Sequence, residues 1–255
     1  MAHALDIIEE RFGMVPRGLI HVGGSVGDEV ADFRRWGIDP AVIVEPLDGA
    51  FARLAEASEG DPAIIAVKAC LSDVEGRRVV FHVASNDGAS SSYLKPTGHL
   101  AAAPDVTFDG TVGMTTTTLD ATIARVATEH GFPTAAIEYL GLDTQGSELD
   151  ILRGGEAAVA AANFIYTEAS FGQLYEGSAS VYDIEAFLRR RGFDMYDLRM
   201  GAHGWGDALF VRSSWVAAGQ ARFVAMRTGE MSRHEPRRGF RQWLGQWLGR
   251  WRARG

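Results

Sequence analysis

The 255-residue chain predicts an α/β fold built on a mostly parallel sheet, and three observations carry that reading. Short Val- and Ile-rich runs alternate with helical segments, a glycine cluster follows the first run, and the body closes on a β-hairpin. Five runs have the length and continuous apolar character of strands covered on both faces: Gly18–Gly23, Ala41–Glu45, Ala63–Cys70, Ile137–Asp143 and Asn163–Glu168. Phe193–Leu198 and Asp207–Arg212 add a hairpin across the turn MGAHGWG, so the pattern is a seven-stranded sheet with an antiparallel terminal hairpin.

The helices between these runs carry their own punctuation. Val26–Trp36 stops at Gly37 and Asp48–Ser58 at Gly60, glycine being the residue that enters the left-handed conformation after a last turn. Asp120 is the expected N-cap of Ala121–His130, which ends at Gly131. Leu149–Ala162 is Ala-rich and opens beside Glu148 and Asp150, at the positive end of the helix dipole. Ser180 with Asp183 forms an S-x-x-D cap for Val181–Arg191, terminated by Gly192. Residues 72–118 break the rhythm. Arg78–Ala84 and Met114–Leu119 are β-prone, and between them lies a polar loop carrying Ser90, Ser91 and Ser92, so an inserted hairpin and loop is expected there.

Charge divides the chain. The whole carries 25 Lys+Arg against 33 Asp+Glu, a net −8, but nine Arg and only two Glu fall in residues 222–255. The body, residues 1–221, therefore holds 16 basic and 31 acidic residues. An acidic body opposes the phosphate-backbone attraction on which nucleic-acid binding rests, so no nucleic-acid partner is expected. One cysteine, Cys70, rules out a disulfide framework and any Cys-based zinc site. Met1–Gly13 contains Asp6, Glu9 and Glu10 and no apolar stretch, unlike a secretory signal, and no run approaches the ~20 apolar residues of a membrane span. The expectation is a cytoplasmic protein, at most peripheral to the inner face of a membrane.

Residues 222–255 form a separate element. Phe240, Trp243, Leu244, Trp247, Leu248 and Trp251 recur at helical spacing, flanked by Arg237, Arg238, Arg241, Arg250, Arg252 and Arg254. A basic amphipathic helix of this kind suits docking on the acidic body, a homo-oligomer contact, or an anionic lipid surface.

The chemistry-bearing motifs lie where the runs end. Gly23-Gly24-Ser25-Val26-Gly27 follows the first strand and leads into the first helix, and Glu45 ends the second strand. Glycines let the backbone approach a ligand closely, helix N–H groups face negative charge, and a carboxylate at the second strand's end takes ribose hydroxyls, so an adenosine-type ligand is indicated. The glycine spacing does not fit the G-x-G-x-x-G of a NAD site cleanly. A NAD-dependent oxidoreductase and a non-catalytic binding module nevertheless remain alternatives at this point. Asp143, in LDTQGSELDIL, falls at the carboxyl end of the fourth run, beside the crevice where wound sheets bind ligands.

The chain resembles the FkbM-type S-adenosylmethionine-dependent methyltransferases. The resemblance rests on the loop at Gly23–Gly27, on Glu45-Pro46, on Ser72-Asp73 with Gly76, and on Asp143, Gly146, Glu148 and Leu152. Ser90–Ser92, Thr118-Leu119-Asp120, Glu168, Gly192-Phe193 and Asp207-Ala208-Leu209-Phe210 extend it across roughly residues 18–212. It implies a Rossmann-like class I methyltransferase domain over 1–221 and S-adenosyl-L-methionine as cofactor, held by His21, Gly23, Gly24, Ser25, Gly27, Glu45, Pro46, Ser72, Asp73 and Asp143. It also implies O-methylation of a carbohydrate or small natural-product hydroxyl. The first motif departs from the family's pattern: His21 stands where the family typically has an acid, and Gly24-Ser25 stand where it usually has Ala-Asn. Asp143, Glu168 and His203 are the candidate proton acceptors, His203 because imidazole is the side chain best suited as a residue type to proton transfer near neutrality and Glu168 for its place at a strand's end. Asp143 and Glu168 would be two ligands of a metal, but the spacing supplies no third, so none is expected.

Overall fold

The structure, a computed structural model, describes residues 2–217 and 219–220. The basic Trp-bearing stretch at 222–255 lies outside the described residues. The first parallel strands are β1 (Gly18–Val22), β2 (Ala41–Glu45) and β3 (Ile64–Lys68), followed by β7 (Ile137–Leu142) and β8 (Phe164–Ser170). The closing hairpin is β9 (Phe193–Met200) and β10 (Trp205–Arg212). Together they form a seven-stranded sheet in the order β3-β2-β1-β7-β8-β10-β9. Only β10 runs antiparallel to its neighbours. It sits inside the sheet between β8 and β9 rather than at its edge.

Every residue of β1, β2 and β7 is buried, as expected when helices cover both faces. Alternation in β1 divides the core. Leu19 packs with α1 (Ala2–Phe12), α2 (Val30–Trp36) and α3 (Asp48–Ser58), through Leu5, Ile8, Phe33 and Leu54. Ile20 and Val22 face the opposite layer, where α5 (Leu119–His130), α6 (Glu148–Arg153), α7 (Glu156–Ala161) and α8 (Val181–Arg189) contribute Ile123, Leu152, Val159 and Leu188. Among the described residues, no helix is long and apolar enough to cross a membrane.

Several sequence expectations need correcting. The 63–70 run is not one strand: β3 ends at Lys68, and Cys70–Leu71 forms β4, which pairs with β6 (Gly110–Thr117) beside β5 (Arg78–Val83). This three-stranded sheet, with the short α4 (Gly98–Ala102) between β5 and β6, is the insertion, and it turns Cys70, Leu71 and Phe81 toward the carboxyl end of the main sheet. The helix expected from Val26, α2, begins at Val30, because Ser25 and Gly27 adopt positive φ angles of 43° and 87° that a helix cannot contain. The long helix expected over 149–162 is two, α6 and α7, broken at Gly154-Gly155, where the chain passes against the Ser72 carbonyl and Leu119.

The cap assignment at Asp120 also changes. Thr118 caps α5, its hydroxyl accepting from the Ala121 N–H at 3.2 Å. Asp120 reaches across to α7 and accepts from the N–H groups of Ala157 (2.9 Å) and Ala158 (3.1 Å). The one carboxylate thus closes the start of a helix 36 residues further on, tying α5 to α7. Asp120→Ala is therefore expected to lower stability by about 1 kcal/mol, the usual cost of an N-cap, with the denaturant slope unchanged. Urea unfolding of Asp120→Ala and Asp120→Asn checks this, the Asn variant retaining part of the cap; an unchanged midpoint for Ala would show that the cross-helix cap contributes nothing.

Candidate active site

At the centre of the sheet the strand order reverses: β1 is flanked by β2 on one side and β7 on the other, so the loops leaving β1 and β7 diverge and leave a crevice. A cavity fills it. Its walls come from Gly23, Ser25, Glu45, Pro46, Cys70 and Asp143, with Tyr93 and Gln145 closing it. Its empty space, counted with the open solvent at its mouth, is about 510 Å3.

Gly23 lets the two loops meet. It sits at φ 90°, and a Cβ on it would lie 1.8 Å from the Asp143 carbonyl oxygen, a distance no side chain survives. Gly24 leaves similar room over Ile43. Glu45 is buried, and its two carboxylate oxygens accept from the N–H groups of Ser25 and Leu47, each at 2.9 Å. The acid at the end of β2 thus fastens the glycine loop and its own following turn, and each oxygen keeps a further lone pair. Burial raises the Glu45 pKa, opposed by those two amides.

His21 is one strand residue away but does not line this cavity. It is buried on the α1–α3 side, edge-on to Phe33 with ring centroids 6.3 Å apart, and its Nε2 lies 3.8 Å from the Glu29 carboxylate. Neither ring nitrogen has a hydrogen-bond partner among the described residues. Burial lowers its pKa to about 4, so it is neutral at pH 7.

Ser72 and Asp73 stand just beyond the Cys70–Leu71 wall. Ser72 is buried, its hydroxyl donating to Asp73 (3.0 Å), lying 3.2 Å from the Tyr93 hydroxyl and accepting from Arg77. Tyr93 in turn donates to Asp150 at 3.0 Å. The pair braces the cavity wall rather than facing into it. Cys70 faces the cavity, and burial pushes its thiol up to about 12, which leaves it protonated and unreactive.

The loop after β7 is folded around Glu148, whose Oε1 accepts from the Thr144 and Gly146 N–H groups (2.9 and 3.1 Å) and the Thr144 hydroxyl (3.2 Å). Burial raises its pKa to about 7. Asp143, which solvent reaches through the cavity, and Glu168, on the last turn of β8, are joined by a residue that the motif reading passed over. Gln145 donates from Nε2 to Asp143 Oδ1 and to Glu168 Oε2, both at 2.9 Å, while its Oε1 accepts from the Tyr175 hydroxyl at 2.9 Å. The sequence signal for it was its place between Asp143 and Glu148; its positive φ of 56° appears only in the structure. Glu168 has a pKa well above the ordinary carboxylate value, first because of burial and then because Asp143, Glu148 and Asp207 surround it.

His203 is not brought to this cluster. It is exposed in the β9–β10 turn, stacked on Trp205 with ring centroids 5.4 Å apart. Among the described residues no group of three or more His, Cys, Asp or Glu side chains is arranged to hold a metal ion.

A family model for the methyltransferase FkbM domain matches residues 21–195, more than half of the chain. The chain is 34% identical over 113 residues to the 2-O-methyltransferase NoeI of Sinorhizobium fredii (strain NBRC 101917 / NGR234), a match spanning 42% of this chain and 44% of that protein. It thus spans less than half the length of that curated relative. Among solved structures it is similar to an uncharacterized protein from Listeria monocytogenes serotype 4b, with a TM-score of 0.45, 8% identity, and 83% of this chain and 66% of that one covered. It is also similar to magnesium protoporphyrin IX methyltransferase from Synechocystis PCC 6803 with bound SAM, with a TM-score of 0.41, 10% identity, and 76% and 69% covered. Through the match over residues 21–195, the chain belongs to the FkbM methyltransferase family.

Proposed function

We propose that this protein transfers a methyl group from S-adenosylmethionine to a hydroxyl oxygen of a carbohydrate or small natural-product acceptor. One observation carries the reading: a single cavity runs from the glycine loop and Glu45 to Asp143, and Glu168 is held just past Asp143 on the same glutamine. Family membership supports methyl transfer, and the relative named as a 2-O-methyltransferase supports oxygen as the atom that receives it.

The residues fit the cofactor. The absence of side chains at Gly23 and Gly24 lets the loop after β1 close on the Asp143 carbonyl and Ile43 at the edge of the cavity, and the spare lone pairs of Glu45 suit a pair of ribose hydroxyls. Pro46, Leu71 and Ile151 offer an apolar lining for a purine, and Asp143 offers a carboxylate to an ammonium group. When bound, the cofactor supplies a methyl carbon on a positively charged sulfur, which departs with the bonding pair as a neutral thioether. The chain's part is to hold the acceptor hydroxyl in line with that carbon and to take its proton, orientation supplying much of the acceleration. Glu168 is assigned the proton: its raised pKa makes it a stronger base than an ordinary carboxylate once ionised. Neutral His21 cannot repel a cationic ligand and leaves Asp143 as the nearby acid.

Isothermal titration of the full chain with S-adenosylmethionine and S-adenosylhomocysteine tests the first step, with binding expected in the micromolar range or tighter. Glu45→Ala should weaken it by about tenfold or more, the scale of a lost hydrogen bond to a charged group. Absence of binding by either compound at high micromolar concentration would sink the function; binding unaffected by Glu45→Ala would remove only the ribose contact.

The proton acceptor is tested by pH. Because burial and the charges of Asp143, Glu148 and Asp207 raise the Glu168 pKa, its base form grows over a higher pH range than an ordinary carboxylate's, so methyl-transfer kcat/KM should still be climbing above the pH at which an ordinary carboxylate has ionised. Glu168→Gln should lower kcat by about 100-fold or more while leaving S-adenosylhomocysteine affinity in place. A variant with the wild-type rate and pH profile would reassign the base.

A further inference from the structure

The left-handed backbone at Gln145 holds that residue against its own preference. A φ of 56° is costly for a residue with a Cβ, least so for asparagine, and such strain persists where the surroundings over-determine it. Here the side chain supplies the surroundings, because every polar group on it is used. Its two amide hydrogens go one each to Asp143 Oδ1 and Glu168 Oε2, and its Oε1 accepts from the Tyr175 hydroxyl, all at 2.9 Å. One nitrogen thus spans two acids delivered by different strands.

A carboxamide is nearly symmetric in shape, so its partners decide which end faces which way. Turned over, it would set an oxygen against two carboxylates and its N–H groups against the phenol's proton. Tyr175 opposes that turn, and its ring has no room to leave. It is 1% exposed, His99 packs on it with ring centroids 5.5 Å apart, and a Cβ at Gly146 would come within 3.1 Å of it. The same hydroxyl reaches the Ser90 carbonyl at 2.8 Å, in the inserted loop whose Gly88, Ala89 and Ser91 wall the cavity at the glycine loop. The amide's orientation is thereby tied to the loop that encloses that cavity.

We propose that Gln145 is a positioning residue that sets the Asp143 and Glu168 carboxylates at one fixed separation through a single nitrogen, and that Tyr175 keeps this nitrogen turned toward them. The proposal rests on the methyl-transfer reading above, in which Asp143 meets an ammonium group of the cofactor and Glu168 takes the acceptor's proton. Those two tasks share one geometry, because the methyl carbon must lie in line with the oxygen that Glu168 deprotonates. An N–H donor also favours the ionised form of each carboxyl it touches, and Gln145 lowers the pKa of both acids. It does so against the groups around them. Asp143 after β7, Glu148 at the start of α6, Asp207 on β10 and the Tyr175 phenol after β8 face Glu168; His21 on β1, Glu29 before α2 and Asp207 face Asp143.

Carboxyl-carbon NMR titration of the full chain without cofactor tests this, with Glu168→Gln and Asp143→Asn assigning the two signals. Gln145→Asn is the central variant. Asparagine accepts the left-handed backbone more readily than glutamine, so the turn is kept while the amide is drawn back by one methylene. Both midpoints should rise by roughly one pH unit, the scale of a lost hydrogen bond to a charged group. S-adenosylhomocysteine should bind the variant about five- to tenfold more weakly, because the Asp143 carboxylate is no longer held. Tyr175→Phe removes one hydroxyl and should move the midpoints and the affinity in the same directions by about half as much. A residue that served the turn alone would leave both midpoints in place in Gln145→Asn. That result, a midpoint unmoved for either acid, or an unchanged affinity in the folded variant overturns the proposal. If Gln145→Asn does not fold, Tyr175→Phe decides by the same criteria. Titration of the wild-type chain with S-adenosylhomocysteine separates the two failures. Binding there with unmoved midpoints in the variants removes the positioning role alone; absence of binding removes the methyl-transfer reading and the positioning role with it.

Discussion

The buried carboxyl of Glu148 is the interaction on which the site depends. Three donors from Thr144 and Gly146 converge on one of its oxygens, and that convergence turns the chain sharply between β7 and α6. The turn sets Gln145 in a left-handed conformation and aims its side chain between Asp143 and Glu168. Yet the same burial raises the Glu148 pKa to about 7, so removal from water outweighs the three backbone amides, its own among them, that favour its charged form. The sign follows. A carboxyl whose folded pKa exceeds its unfolded value favours the folded state fully below about pH 4.5, and that contribution is lost as pH rises through about 7. Loop shape is thereby obtained at a cost in stability near neutrality.

Backbone proximity is the second constraint, and it belongs to the sheet rather than to any one motif. The Asp143 N–H donates to the Val22 carbonyl at 2.9 Å, and Gly23 lies against the Asp143 carbonyl. On the other side of β1, the Gly23 and Gly24 N–H groups both donate to the Val44 carbonyl. The three loops of the crevice therefore leave from one hydrogen-bonded patch, and Glu45 adds its two carboxylate bonds on top of it. A ligand in the cavity touches the ends of three strands whose relative positions the sheet holds.

How much of this was legible follows from range. β2 and α3 fall at the residues read from the sequence, and Ser180 and Asp183 form the reciprocal cap that their spacing indicates, because those signals are settled within one turn or one strand. Cys70 was misplaced because the apolar run continues unbroken through a change of sheet. The pairing of Cys70 with Thr116 that decides it lies far away in sequence. Asp120 was assigned to the nearest helix because local spacing cannot reveal a carboxylate that reaches α7. Gly154-Gly155 falls inside the Ala-rich stretch that reads as one helix; only the approach of the Ser72 carbonyl and the Leu119 side chain explains the break. At the site, Glu45 and Asp143 were readable as acids at strand ends, whereas Gln145 carries no charge and no signature. Its role comes from what the β8 strand and the loop at Tyr175 bring to it.

The charge split of the sequence gains a local meaning at Glu168. Asp143, Glu148 and Asp207 lie close enough that each adds to the Glu168 pKa, and burial adds more than any of them. Like charges gathered without a cation hold protons, and a proton on Glu168 is incompatible with its proposed work. A ligand that brings positive charge next to Asp143 reverses that balance, since an opposite charge favours the ionised form of every carboxyl within reach. On the methyl-transfer reading the cofactor is such a ligand, its cationic groups entering from the glycine-loop side. Cofactor binding would then do more than deliver the methyl group: it would lower the pKa of the base that the acceptor needs, so that Glu168 ionises most readily when both substrates are in place. Gln145 moderates the interval before that. Its amide donates to the Glu168 carboxyl and lowers the pKa, opposing the rise that burial and the neighbouring acids produce.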